Sequence, residues 1–80
     1  MHLQRTLAEI VHDVVNHLDA GMTTITVPEE EIADAIRAPV EPAAGHMVIA
    51  NAVAQVCRAN DLFASRDSSN ETWVFRLASA

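Results

Sequence analysis

Leu3, Leu7, Ile10, Val11, Val14 and Leu18 recur at the spacing of a single helical stripe. That periodicity commits residues 3–19 to an amphipathic helix whose apolar side must be buried against something else. His2, Arg5, Glu9, His12, Asp13 and Asn16 fall on the opposite side. Gly21 follows the last apolar position and is predicted to supply a left-handed helix cap, with Met22 as the apolar residue after it.

The period then changes. Thr23-Thr24-Ile25-Thr26-Val27 is β-branched throughout, and its alternation puts Ile25 and Val27 on one face of a short strand. Pro28 is expected to open a second helix, where its missing N–H costs nothing in the first turn. Glu29, Glu30 and Glu31 sit at the positive end of that helix dipole. Ile32 and Ile36 face inward, and Pro39 ends the helix at about Ala38. Two prolines and a glycine make residues 39–45 a loop. A third helix is predicted over 46–59, with Val48, Ile49, Ala52, Val53, Val56 and Cys57 buried. Met47, Ala50, Asn51, Ala54, Gln55 and Arg58 are left on its other side. Asn60-Asp61 is the predicted stop. Residues 62–65 and 71–77 then flank the polar stretch 66–70 as a hairpin, with Trp73, Phe75 and Leu77 on one face.

The expected architecture is one α+β domain spanning residues 1–80, in the order helix, strand, helix, helix, hairpin. The run Asn51-Ala52-Val53-Ala54-Gln55-Val56-Cys57-Arg58, with Leu62-Phe63, Ser65-Arg66-Asp67-Ser68 and Trp73-Val74-Phe75-Arg76, resembles winged helix-turn-helix domains of phage and bacterial proteins. The resemblance implies a winged-helix-like fold with residues 62–77 as the wing. It also implies nucleic-acid binding, which such domains achieve with several basic residues in the third helix and wing. Here that helix carries one.

Charge opposes that implication. The chain has no lysine, five arginines and eleven acids, a net of −6. Residues 1–45 hold two arginines against eight acids, a net of −6, and residues 46–80 hold three against three. Binding a polyanion depends on cationic side chains that displace counterions. Glu9 and Asp13 lie one turn apart on the first helix, as do Glu30 and Asp34 on the second, with no lysine or arginine placed within either helix to offset them. Glu41 adds to the set. If these faces adjoin, they form a row of negative charge like that of a phosphate backbone. In functional class the chain resembles small acidic phage inhibitors of the anti-CRISPR or anti-restriction type. Acidity also serves plain solubility.

Two readings follow. The first is a non-enzymatic acidic protein that binds a protein partner with a basic surface, through Glu9, Asp13, Glu30, Asp34 and Glu41, and occupies the nucleic-acid-binding surface of a larger complex. The second is a winged-helix transcriptional regulator in which Asn51, Gln55 and Arg58 read base edges. In it Arg66 and Arg76 hold the DNA backbone. No cofactor, metal or catalytic residue is expected. His12 and His17 are five residues apart, whereas a zinc pair on one helix needs three or four. Cys57 lies on an apolar helix side with no base beside it. Neither an apolar run of membrane-spanning length nor a basic-then-apolar leader is present in the sequence, and the single cysteine fits a reducing compartment. The expected location is the cytoplasm. A free monomer is expected, because the acidic halves of two copies would repel and the apolar patch on the third helix is small.

Overall fold

A computed structural model describes residues 5–79, and its elements follow the expected order: α1 (Leu7–Asp19), β1 (Ile25–Pro28), α2 (Glu29–Ile36), α3 (Pro42–Asn60), β2 (Leu62–Asp67) and β3 (Thr72–Leu77). The fold is a small α+β domain of three helices and one antiparallel three-stranded sheet.

The helix ends are set by capping chemistry, and this moves several boundaries. α1 starts at Leu7 rather than residue 3, because Thr6 and Glu9 form a reciprocal capping box. The Glu9 N–H donates to Thr6 Oγ1 at 3.1 Å, and the Thr6 N–H donates to Glu9 Oε1 at 3.0 Å. Leu3 lies outside the described residues. At the other end Gly21 adopts a φ of 113°, and two backbone bonds close the turn. They run from the Gly21 N–H to the Leu18 carbonyl and from the Met22 N–H to the His17 carbonyl. Met22 itself is 54% exposed and contributes no apolar seal.

Pro28 closes β1 instead of opening α2. As the last residue of an edge strand it leaves no ladder bond unmade. α2 ends at Ile36 and not at Ala38, because Arg37 turns left-handed at φ 53° and the Ala38 N–H returns to the Ala33 carbonyl at 2.9 Å. α3 begins at Pro42, four residues before the predicted start, with the proline in the first turn. Gly45 is therefore buried inside a helix rather than part of a loop, and a Cβ there would lie 2.7 Å from the Pro39 carbonyl oxygen. Only glycine allows the α2–α3 connection to pack this closely.

The strand order is β1-β3-β2, with Val27 opposite Trp73, Ile25 and Ala64 opposite Phe75, and Leu62 opposite Leu77. Opposed residues share a face, so one face of the sheet supplies Val27, Leu62 and Phe75 to the core. Trp73 and Leu77 lie half-buried at its margin. Ile10, Val14 and Leu18 of α1, Ile32 of α2, and Ile49 and Val53 of α3 complete that core. Val48, predicted to be buried, is 40% exposed. The hairpin is longer than expected: Arg66 and Asp67 belong to β2, leaving 68–71 as the turn. Asp67 organises that turn by accepting from the Ser69 and Asn70 N–H groups and from Asn70 Nδ2.

Candidate functional site

The five acidic residues singled out from the sequence are all exposed, but they differ in how they are engaged. Glu9 is held by its capping box, and the Thr6 backbone and hydroxyl keep its carboxyl below the usual glutamate range. Asp13 is not left without a counter-charge, as the sequence suggested. Arg5, just outside the helix, donates to Asp13 Oδ2 at 2.8 Å and also, through its Nε at 2.7 Å, to Glu31 Oε1. This arginine ties the segment before α1 to α2. The side chains of Glu30, Asp34 and Glu41 make no hydrogen bond or ion pair among the described residues. Of the five, the unengaged carboxylates are thus those of Glu30 and Asp34 on α2 and of Glu41 at the N-cap of α3, and Asp19, Asp61 and Glu71 are likewise exposed without a side-chain partner among the described residues.

The residues of the DNA-binding reading divide in a similar way. Asn51, Gln55 and Arg58 are exposed along α3. Arg66 is committed: its Nε donates to Glu29 Oε2 at 2.7 Å and its NH2 to Glu29 Oε1 at 3.0 Å. Arg76 lies over the ring of Phe63, 5.0 Å from its centroid, on the sheet face turned away from the core.

Glu29 is the residue that sequence reasoning underrated. The residue is 9% exposed, and its carboxylate also accepts from Trp73 Nε1 at 2.9 Å, while His46 Nε2 of α3 stands 3.7 Å away. The Arg66 guanidinium, ahead of the Trp73 N–H, holds the Glu29 carboxyl below its usual range against the opposing effect of burial. The cluster joins α2, the hairpin and α3. Its partners lie 37 and 44 residues along the chain, so local spacing carries no signal for it. Helix-start preference accounted for Glu29 in the sequence and concealed this role.

His12 pairs with Asn16, and His17 Nδ1 contacts the Asp13 carbonyl oxygen, so the two rings serve separate local contacts. Among the described residues no group of three His, Cys, Asp or Glu side chains could hold a metal ion. Cys57 is half-buried, and burial pushes its thiol pKa up, away from the thiolate form a nucleophile needs. No helix among the described residues is long and apolar enough to cross a membrane. The chain matches no protein-family model, no curated protein and no solved structure.

Proposed function

We propose that this protein is a non-enzymatic binding protein of the cytoplasm. Its acidic side would occupy a basic, nucleic-acid-binding surface of a larger assembly, in the manner of small phage inhibitors of the anti-CRISPR or anti-restriction type. The observation that carries this reading is the imbalance of unengaged charge. Arg5 and Arg66 are consumed by internal carboxylates and Arg76 lies over Phe63, which leaves Arg37 and Arg58 as exposed cations without a carboxylate partner among the described residues, against the exposed and unpaired carboxylates of Asp19, Glu30, Asp34, Glu41, Asp61 and Glu71. A basic surface meeting α2 finds carboxylates whose charge is not already spent, and complementary fields speed such encounters.

The DNA-binding alternative has less support. Moving Arg66 to a phosphate would take its guanidinium from the buried Glu29 carboxylate and leave it only the Trp73 N–H and the more distant His46, which opposes the move. Arg58 and the polar residues Asn51 and Gln55 would then have to hold DNA almost unaided, although base contacts rely on phosphate contacts to fix register.

The test has two arms. In the first, a fluorescent duplex is titrated with the protein at low salt. No binding is expected at tens of micromolar, within the ~10⁻⁴–10⁻⁶ M range of ordinary non-specific binders. In the second, proteins retained from cells carrying the gene are purified and assayed for duplex binding in its presence. Competition with the duplex is expected, weakened about tenfold by Glu30→Gln with Asp34→Asn and by raised salt. Tight duplex binding by the protein itself, or a complex indifferent to both changes, would overturn the reading.

A further inference from the structure

Two bonds that continue the sheet ladders past the strand ends fix which way each backbone group points. The Ala78 N–H donates to the Asp61 carbonyl at 3.0 Å, and the Glu29 N–H donates to the Glu71 carbonyl at 3.0 Å. Residues opposed in an antiparallel pair alternate between bonded and non-bonded. Phe63, Ser65 and Asp67 of β2 therefore bond to Arg76, Val74 and Thr72 of β3. Leu62, Ala64 and Arg66 turn their backbone groups the other way, to the outer edge of the sheet. By the same alternation Ile25 and Val27 of β1 bond to β3, and Thr26 and Pro28 face the opposite edge.

The two edges are unequal. β1 is 4 residues long, Pro28 has no N–H to offer, and Thr26 borders a recess lined by Arg5, Asp13, His17 and Glu31. β2 is 6 residues long and contains no proline. Among the described residues no hydrogen bond beyond the β2–β3 ladder reaches the N–H of Ala64 or Arg66. Between them in register, Phe63 is 52% exposed on the sheet face turned away from the core. Such an edge selects its occupant chemically, because a second extended backbone matches the spacing of its donors and acceptors and a helix or a duplex does not.

A second copy of this chain is a poor occupant. Its β2 would have to pair antiparallel with outward residues bonded to outward residues, which leaves two registers of near-full length. One centres on Ala64 and brings Asp61 of each copy to Asp67 of the other. The other centres on Ser65 and sets Asp67 opposite Phe63. Asp61 also stands exposed where β2 begins, without a side-chain partner among the described residues, and Arg58 on the same helix end forms no ion pair with it. A basic residue is the complement of that end.

We propose that the β2 edge is a strand-addition site for an extended segment of a partner protein, antiparallel to β2, with an apolar residue opposite Phe63 and a basic residue ending against Asp61. Main-chain bonds to Ala64 and Arg66 supply the affinity of such a contact, and alternate side chains supply its specificity. The site is separate from the acidic side of α2 and does not depend on that side being occupied.

In the free protein, amide hydrogen exchange should be fast at Ala64 and Arg66 and slow at Phe63 and Ser65. The binding probe is a capped synthetic peptide in which threonine alternates with valine and arginine closes the C-terminal end. Titrated into isotope-labelled protein, it should shift the Ala64 and Arg66 amides and saturate with a dissociation constant below about 1 mM. With valine opposite Phe63, the threonine N–H groups face β2, so methylating every threonine nitrogen should abolish binding. Methylating every valine nitrogen should change it by less than about threefold. Ala64→Pro removes an outward N–H that the β2–β3 ladder does not use, and proline is tolerated there on an edge strand. It should weaken binding at least about tenfold, with helix content unchanged by circular dichroism. Asp61→Asn keeps a residue suited to the left-handed turn and should weaken it about threefold. No shift at about 1 mM peptide, binding indifferent to threonine methylation, or equal protection of all four amides in the free protein would overturn the proposal.

Discussion

Glu29 shows what one side chain contributes here. Among the described residues it is the one charged residue that is buried, and two arginine N–H groups and an indole N–H converge on it. Charge-assisted bonds of this kind are roughly twice as strong as neutral ones. Glu29→Gln keeps the shape, removes the charge and leaves Arg66 poorly matched, so unfolding in urea at pH 7 should show a loss of about 2 kcal/mol. The folded-state pKa of Glu29 lies below its ordinary value, and those of Glu9 and Asp67 are lowered as well. Their stabilisation is complete above the unfolded carboxylate pKa and is lost as pH falls through the lower folded one. Wild-type stability should therefore drop below about pH 4.3. The gap to Glu29→Gln should narrow in the same window, and an undiminished gap at about pH 3 would show that the carboxylate's charge is not what matters. Arg37 offers the reverse case. It holds a left-handed conformation at φ 53° in which glycine is relaxed, so Arg37→Gly should stabilise by about 0.5–1 kcal/mol, read from the shift in urea midpoint.

Among the elements, helix periodicity was the most readable signal and capping the least. The Ile10, Val14, Leu18 stripe and the Ile49, Val53 pair were visible in spacing alone and form the core. The start of α3 was not visible, because Gly45 reads as a breaker until the chain is folded against it. Within the fold this glycine is a contact, since a Cβ would sit 2.7 Å from a backbone oxygen of Pro39. Gly45→Ala gains about 1 kcal/mol of helix propensity. It also forces backbone against backbone, and overpacking of that kind costs about 1–3 kcal/mol. Neither side of the contact is a flexible side-chain end, so the clash should win, with thermal melts showing a net loss of about 1 kcal/mol. A more stable Gly45→Ala variant would mean the α2–α3 connection yields freely. Likewise the exposed acids of the candidate site could be read from composition, but their division into engaged and unengaged sets could not. That division depends on Thr6, which caps with Glu9, and on Arg5, which reaches Asp13 eight residues on only in the folded arrangement that also brings it to Glu31, 26 residues along the chain.

At the scale of the whole molecule, the net charge of −6 sits on a body of 36 × 30 × 24 Å. At about 0.01 M salt the screening length is ~30 Å, so every carboxylate on the surface acts on every other. At about 1 M it is ~3 Å, and only groups in contact interact. Two contributions to stability respond in opposite directions. Screening weakens the exposed pairs of Arg5, worth about 0–1 kcal/mol each, and relieves the self-repulsion of the acidic half. The Glu29–Arg66 pair is sheltered on the glutamate side alone and responds less than the exposed pairs. Repulsion among the unpaired acids outnumbers the exposed pairs, so the melting temperature should rise by a few degrees, roughly 1 kcal/mol of stability, between 0.01 and about 0.5 M sodium chloride. Neutralising Glu30 and Asp34 together should reproduce part of that rise at low salt and flatten the salt dependence. A melting temperature that falls with salt would place the balance with the Arg5 bridges, and the acidic half would then be internally compensated rather than held open for a basic partner.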